Sequence, residues 1–308
     1  MQAQNILITG ASGLVGFPLS RLLVARGDRV VALDPAPLPE SIDGINHIQQ
    51  GFGGYDSIYA LLETHGITKI VHAGGISGPM LANDAPQRIT AANLRSTIDL
   101  AEAAYRTNIS RFVYCSSGSA YGETPVSPVR EDTAFRPTSL YGATKAASDL
   151  ILMAYRNDYG VDAIGLRYST VYGPRRATDC AIRTMIEDAI AGRPTRLHQG
   201  AGRRWPYVYV DDVVTATVAA LDAPPTTQYA YNVAGPDYPS MAQIAELVWS
   251  EFRNADIEIK GSPDDPVRGQ FDLSAAERDL NWTPRWTIEA GVASYIDWLR
   301  ENAVESDG

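Results

Sequence analysis

Tyr141 and Lys145 stand four residues apart in Tyr141-Gly-Ala-Thr-Lys145. On a helix, positions i and i+4 share a face, so both side chains can enter one cleft. A tyrosine phenol ordinarily titrates near 10. An ammonium beside it favours the ionised form and brings it toward a useful range. Such a tyrosine can take the proton of a substrate hydroxyl while hydride leaves the same carbon. Ser117 lies 24 residues before Tyr141, just past the run Arg111-Phe-Val-Tyr-Cys115, and can hydrogen-bond the same substrate oxygen. A lone Tyr-x3-Lys arises by chance on many solvated helix faces. Its order and spacing with Ser116-Ser117-Gly118 and with a glycine motif near the start carry the weight here.

That motif is Thr9-Gly10-Ala-Ser-Gly13-Leu-Val-Gly16, set between the apolar run Asn5-Ile-Leu-Ile-Thr9 and a helical stripe. A strand–turn–helix context is what a dinucleotide-binding turn requires. Gly10 permits the tight turn, Gly13 lets the backbone approach a pyrophosphate, and Gly16 lets the helix pack on the sheet. Ser12, Leu14 and Val15 complete the candidate cofactor-binding turn, where a helix N-terminus offers N–H donors and positive dipole to phosphates. Asp34 ends the next strand, 18 residues after Gly16, with Pro35-Ala36-Pro37 and no cation directly after it. A carboxylate there accepts from ribose hydroxyls and repels a 2′-phosphate, so NAD is expected over NADP. An oxidised nicotinamide near Tyr141 would further favour the phenolate.

These residues need a frame. Strands are predicted at 5–9, 29–34, 46–49, 69–73, 110–115 and 162–168, with helices over 14–26, 55–65, 87–105 and 141–159 between them. Val15, Leu19, Leu22 and Leu23 form the stripe of the first helix. Repeated strand–helix units predict an α/β fold: a Rossmann-type doubly wound parallel sheet, with ligands at the carboxyl ends of its strands. From about 170 the pattern breaks into short pieces separated by Gly, Pro and Asp. Residues 1–170 are read as the NAD-binding domain and 171–308 as a smaller C-terminal substrate-capping lobe. Tyr207-Val-Tyr-Val210 and the segment to 222 are expected to return to the first domain as a strand and a capped helix. The tail from Val304 is polar and expected to fray.

The net charge of −10 argues against a nucleic-acid or anionic-membrane surface. It leaves room for an anionic substrate at a local Arg cluster. Cys115 and Cys180 are the two cysteines, which implies no disulfide framework and a reducing cytoplasm. His47, His65, His72 and His198 lack metal-ligand spacing, so no metal is expected. No signal peptide and no membrane-length apolar run is recognised.

On these residues the chain resembles the extended short-chain dehydrogenase/reductases, specifically the NAD-dependent epimerase/dehydratase group. The resemblance spans nearly the whole sequence. Beyond the motifs above it includes Val71-His-Ala-Gly74, Asn93, Tyr121-Gly122, Leu166-Arg-Tyr168, Val171-Tyr-Gly-Pro174, Tyr231-Asn-Val233 and Trp282-Thr-Pro284. It implies that Ser117, Tyr141 and Lys145 are catalytic. It implies that His72, Ala73 and Gly74 run past the cofactor, that Asn93 supports the cofactor loop, and that Tyr168 lies near the nicotinamide. It further implies a homodimer formed by the helices near 87–105 and 141–159.

Departures from the family pattern bear on the substrate. Dehydratases carry Asp-Glu directly after the Ser/Thr, where this chain has Gly118 and Ser119, which argues against dehydration. Relatives that bind UDP-sugars usually have Asn, Arg and Arg-Pro-Gly-Asp where this chain has Thr170, Trp205 and Ser262-Pro263-Asp264-Asp265. An Arg–phosphate pair is a charge-assisted, often bidentate contact, so losing two arginines weakens the case for a nucleotide-linked substrate. Ser117, Ser119, Thr170, Arg176, Arg204 and Arg268 are the candidate substrate contacts. Without a nucleotide tether, a keto intermediate would more readily leave. The sequence thus favours an NAD-dependent oxidation of a small carbohydrate-like substrate, such as a sugar acid. The alternative is a UDP-sugar 4-epimerase. A third possibility, a non-catalytic NAD(H)-binding regulatory protein, sits poorly with an intact Ser117, Tyr141 and Lys145.

Overall fold

Apolar runs without alternation suit strands covered on both faces, and the chain folds accordingly. The structure, a computed structural model, describes residues 3–78, 81–82, 84–198, 200, 203–261 and 267–303. β1 (Asn5–Thr9) leads through the glycine turn into α1 (Gly16–Arg26) and back to β2 (Arg29–Leu33). β3 (Asn46–Ile48), α2 (Tyr55–Thr64) and β4 (Lys69–His72) follow. The helix predicted over 87–105 is built in three parts: α3 (Pro86–Thr90), a π-helical turn (Ala91–Arg95) and α4 (Ser96–Arg106). β5 (Arg111–Ser117), α5 (Leu140–Tyr159) and β6 (Ala163–Tyr168) complete the regular alternation. Ser139 caps α5 by accepting from the Gly142 N–H at 3.1 Å.

Beyond β6 come β7 (Thr170–Tyr172), α6 (Ala181–Ile190), β8 (Thr195–Leu197), β9 (Tyr207–Tyr209), α7 (Val210–Asp222) and β10 (Ala230–Val233). The chain then forms α8 (Met241–Glu251), β11 (Ile257–Ile259), α9 (Ser274–Leu280) and α10 (Ile288–Ala303). The main sheet has seven parallel strands in the order β3-β2-β1-β4-β5-β6-β10. Ile6, Ile8, Val113 and Leu166 pack on the side of α1, α7 and α9, and Leu7, Ile70 and Phe112 on the side of α2, α4 and α5. Leu22, placed on the stripe of the first helix by its spacing, is instead 43% exposed. No helix among the described residues is long and apolar enough to cross a membrane.

The segment 207–222 divides its allegiance. α7 packs on β4, β5 and β6 of the main sheet, whereas β9 pairs with β7 in a separate two-stranded sheet. A further return lies outside the predicted segment: β10 covers the free edge of β6, with Tyr231 opposite Leu166. Its run Ala-Tyr-Asn-Val does not read as a core strand, because asparagine is depleted in strands. Here Asn232 is buried and satisfied, donating to the Val129 carbonyl at 2.9 Å and accepting from the Tyr121 hydroxyl at 2.8 Å. Tyr172, Met185, Tyr209, Val248 and Tyr295 form a second core that joins α6, α8, α10 and β9. The positions Ser262-Pro263-Asp264-Asp265 and the tail from Val304 lie outside the described residues.

Candidate active site

Successive strands run to one side from β1 and to the other from β4, so a crevice opens where their carboxyl ends meet. The glycine turn sits there. Gly10 adopts φ +70°, and a Cβ on it would lie 2.6 Å from the Gly74 Cα. Both strand ends are thus closed down on glycine. Gly16 is constrained by the turn itself, since a Cβ there would collide with the Gly10 carbonyl. That is a tighter demand than the helix–sheet packing expected from the motif. α1 starts without a side-chain cap, and no protein acceptor among the described residues meets the N–H groups of Leu14 and Val15. Orphan donors at a helix start suit a phosphate. Gly13 lies between them and the turn, its N–H given to the Gly10 carbonyl at 3.0 Å.

Asp34 faces this turn. Its carboxylate accepts from the Ser12 N–H at 3.0 Å and the Ala36 N–H at 2.9 Å. Two backbone donors fix its orientation and leave lone pairs free for ribose hydroxyls. The donor set and the carboxylate together fit NAD.

His72 is fully buried. Thr97 gives its one hydroxyl proton to the Asn93 carbonyl at 2.7 Å, so it accepts from His72 Nε2–H at 3.1 Å. His72 Nδ1 then accepts from Thr9 Oγ1 at 2.7 Å, and Thr9 Oγ1 accepts from the Gly74 N–H at 3.1 Å. Burial, and secondarily the Lys145 charge, push the His72 pKa down to about 3, so the ring stays neutral. The His72 side chain therefore ties the glycine turn to the π-helical turn.

Asn93 sits within the π-helical turn and is buried. It accepts from the Ile76 N–H at 2.7 Å and donates to the Ile76 carbonyl at 3.1 Å and to Thr144 Oγ1 at 3.2 Å. One side chain thereby clamps the loop after β4 to α5. Thr9, Thr97 and Thr144 take part in this lattice and were not singled out from the sequence. The adjacency of Thr9 to Gly10 was the available signal.

At the end of β5, Ser117 Oγ accepts from the Ser119 N–H at 3.1 Å. Its hydroxyl proton is left to donate elsewhere. The first turn of α5 presses on this segment: a Cβ on Gly142 would collide with the Ser119 carbonyl. Gly142 is therefore held against Ser119, and Tyr141 precedes it at the start of α5. Lys145, one turn further, is buried and donates to the Cys115 carbonyl at 2.7 Å. Its ammonium lies 4.8 Å from the Tyr114 ring centre and 5.9 Å from that of Tyr141. Burial opposes the ammonium, charge interaction with Tyr114, Tyr141 and Cys115 favours it, and the pKa lies above the ordinary lysine value.

A buried polar network steadies both elements. Asp149 lies on α5 one turn beyond Lys145. It accepts from Ser116 Oγ at 3.0 Å, Arg167 Nε at 2.9 Å and the Tyr229 hydroxyl at 3.0 Å. Arg167 also donates to the Tyr121 hydroxyl at 2.9 Å. These residues carried only the family resemblance in the sequence, or no signal at all.

The remaining predicted contacts scatter. Tyr168 pairs with Ser117 across β5 and β6, but its hydroxyl is buried against Thr217 Oγ1 at 2.8 Å and Cys115 Sγ at 3.3 Å. Arg176 spends its donors on the carbonyls of Val171, Thr178 and Asp179. Arg204 is exposed and donates to the Tyr238 carbonyl at 2.7 Å. Thr170 accepts from the Trp205 indole N–H at 2.6 Å, so two of the departing positions are bonded to each other. Gly118 is filled from above by Phe271, whose ring would stand 2.6 Å from a Cβ there. Arg268 lies over the Trp205 ring at 5.6 Å.

The parallel sheet, the glycine turn at its switch point and the order of Ser117, Tyr141 and Lys145 along β5 and α5 agree with a nicotinamide-dependent enzyme of the extended short-chain type. The chain belongs to the NAD dependent epimerase/dehydratase family, whose model matches residues 6–234. It is 30% identical to a UDP-glucose 4-epimerase of Mycolicibacterium smegmatis, over 96% of this chain and 99% of that one. It is 26% identical to a UDP-glucuronate 4-epimerase of Thermodesulfobacterium geofontis, over 96% of each. The structure superposes on a UDP-glucuronic acid 4-epimerase from Bacillus cereus in complex with UDP-glucuronic acid and NAD. That match has a TM-score of 0.84 at 25% identity and covers 97% of this chain and 100% of the other. These similarities favour the 4-epimerase alternative over the net oxidation preferred from the sequence.

Proposed function

We propose that this protein is an NAD-dependent 4-epimerase of a UDP-linked sugar, with UDP-glucose and UDP-glucuronate as the first candidates. The observation that carries it is the full-length similarity to 4-epimerases together with the buried Lys145 ammonium 5.9 Å from the Tyr141 ring centre, donating to the strand that ends in Ser117. NAD bound in the crevice would accept and return a hydride. Tyr141 takes the proton of the C4 hydroxyl, and Ser117 donates to the same oxygen. Lys145 holds a positive charge 5.9 Å from the centre of the Tyr141 ring. Asp34 would hold the adenosine ribose of NAD, and the orphan N–H groups of Leu14 and Val15 would meet its diphosphate. Gly118 and Ser119 offer no carboxyl group, so elimination of water has no acid or base at that place. The smaller lobe around α6, α8 and α10 caps the sugar.

A homodimer and a cytoplasmic setting belong to the same proposal. Leu150 on α5 is 55% exposed, and Ala143, Leu150 and Ala154 leave an uncovered apolar strip on that helix. Both cysteines are free and buried, in keeping with a reducing compartment. Turnover of UDP-glucose and UDP-glucuronate, read by NMR as sugar inverted at C4, tests the proposal. The absence of inverted product from either, with NAD bound, would overturn it.

A further inference from the structure

A guanidinium cannot shed its charge, so a buried N–H of arginine without an acceptor calls for an explanation. Arg268 has one. Its Nη1 is shielded from solvent and meets no acceptor among the described residues. Burial pulls its pKa down, with Glu123 opposing that shift without a hydrogen bond to it. The guanidinium lies 5.6 Å from the Trp205 ring centre, where the indole face can support it.

The backbone that carries Arg268 is fixed rather than slack. The Thr124 N–H donates to the Val267 carbonyl at 3.0 Å, and the Gly269 N–H to Thr124 Oγ1 at 2.8 Å. The Tyr238 hydroxyl donates to the Arg268 carbonyl, while the Tyr238 carbonyl takes Arg204 Nη1 at 2.7 Å. One tyrosine therefore holds two arginine-bearing segments side by side.

Two independent lines locate this cluster relative to the chemistry. Phe271, three residues after Arg268, packs against Gly118 beside Ser117. Three residues of extended chain span at most about 10 Å. From the other direction, Trp205 bonds Thr170 at 2.6 Å, and Thr170 stands two residues past Tyr168, the β6 partner of Ser117. Arg268 is near the reacting carbon's site but set back from it.

We propose that Arg268, laid over Trp205, clamps an oxyanion of the substrate that lies back from the reacting carbon. The clamp rests on the UDP-sugar reading, in which that oxyanion belongs to the diphosphate. A sugar carboxylate likewise offers two anionic oxygens to the guanidinium fork.

Calorimetric titration of UDP and of free glucuronate into the NAD-loaded full chain separates these sources. For Arg268→Gln, UDP affinity should fall about 10- to 100-fold, the worth of a hydrogen bond to a charged group. KM for the UDP-sugar should rise by the same factor, with kcat within a few-fold and NAD affinity unchanged. Arg268→Lys should recover only part of the loss, because a point charge cannot form the fork. It also carries the test should the Gln variant fail to fold. Arg196→Gln, which removes a cation paired with Asp256 on β8, should change nothing. Binding of glucuronate but not UDP, lost in Arg268→Gln, would uphold the clamp and sink the UDP-sugar reading. Equal UDP affinity in wild type and Arg268→Gln, in a protein that interconverts UDP-sugars, would overturn the clamp alone. No binding of either probe to the wild type would overturn both.

Discussion

Replacing Tyr141 by Phe keeps the ring and removes the ionisable oxygen. Turnover is expected to fall about 10²-fold or more, the usual scale of general acid–base catalysis, with NAD affinity little changed. Steady-state rates and a calorimetric NAD titration check both halves, and a near-wild-type rate would remove Tyr141 as the base. His72 makes a different prediction, about stability. Its pKa is depressed to about 3 in the folded chain from an ordinary 6.5, so between those values the unfolded chain binds the extra proton. Stability from this group is therefore complete above about pH 6.5 and falls as pH drops, by up to about 1.4 kcal/mol per pH unit. Urea unfolding of wild type and His72→Gln at pH 7, 6 and 5 should show the steeper decline in the wild type. Parallel declines would contradict the neutral, buried ring. At this scale the spacing of Tyr141, Lys145 and the glycines was legible because four residues make one helical turn. The commitments of Lys145 to the Cys115 carbonyl and of the Tyr168 hydroxyl to Thr217 were not, since partners 30 and 49 residues away leave no local trace.

Elements were legible where apolar runs were long and unbroken. β1, β2, β4, β5 and β6 fall within a residue or two of their predicted bounds, because burial on both faces forces continuous hydrophobic sequence. The π-helical turn was hidden, as its extra residue leaves the periodicity around Asn93 nearly intact while turning that side chain toward Ile76. β10 was hidden by Asn232, whose burial depends on partners from three distant segments. The Asp149–Arg167 pair joins α5 to β6 with both side chains nearly inaccessible, at 0% and 3% exposure. Arg167→Met should leave Asp149 buried and uncompensated, and cost about 3–5 kcal/mol of unfolding free energy. A urea-derived loss below about 1 kcal/mol would show that the network relaxes around the gap.

For the whole molecule, the exposed strip on α5 predicts a concentration-dependent dimer. Leu150→Glu should shift light-scattering mass from dimer to monomer at micromolar concentration, and an unaltered dimer would place the interface elsewhere. The family and its cofactor were legible from motif order along the chain. The Thr170–Trp205–Arg268 cluster was not, because it forms only after folding joins β6, the approach to β9 and the segment before α9. Read singly, the first two are lost contacts. Together they seat a guanidinium. The central claim is that hydride leaves C4 of a UDP-sugar and returns to the same carbon on the other face. A UDP-sugar deuterated at C4 tests it most directly. The inverted product should retain the deuterium, with no net reduced nicotinamide at 340 nm. Stoichiometric accumulation of reduced nicotinamide, with ketone released and no inverted sugar, would contradict it and restore net oxidation.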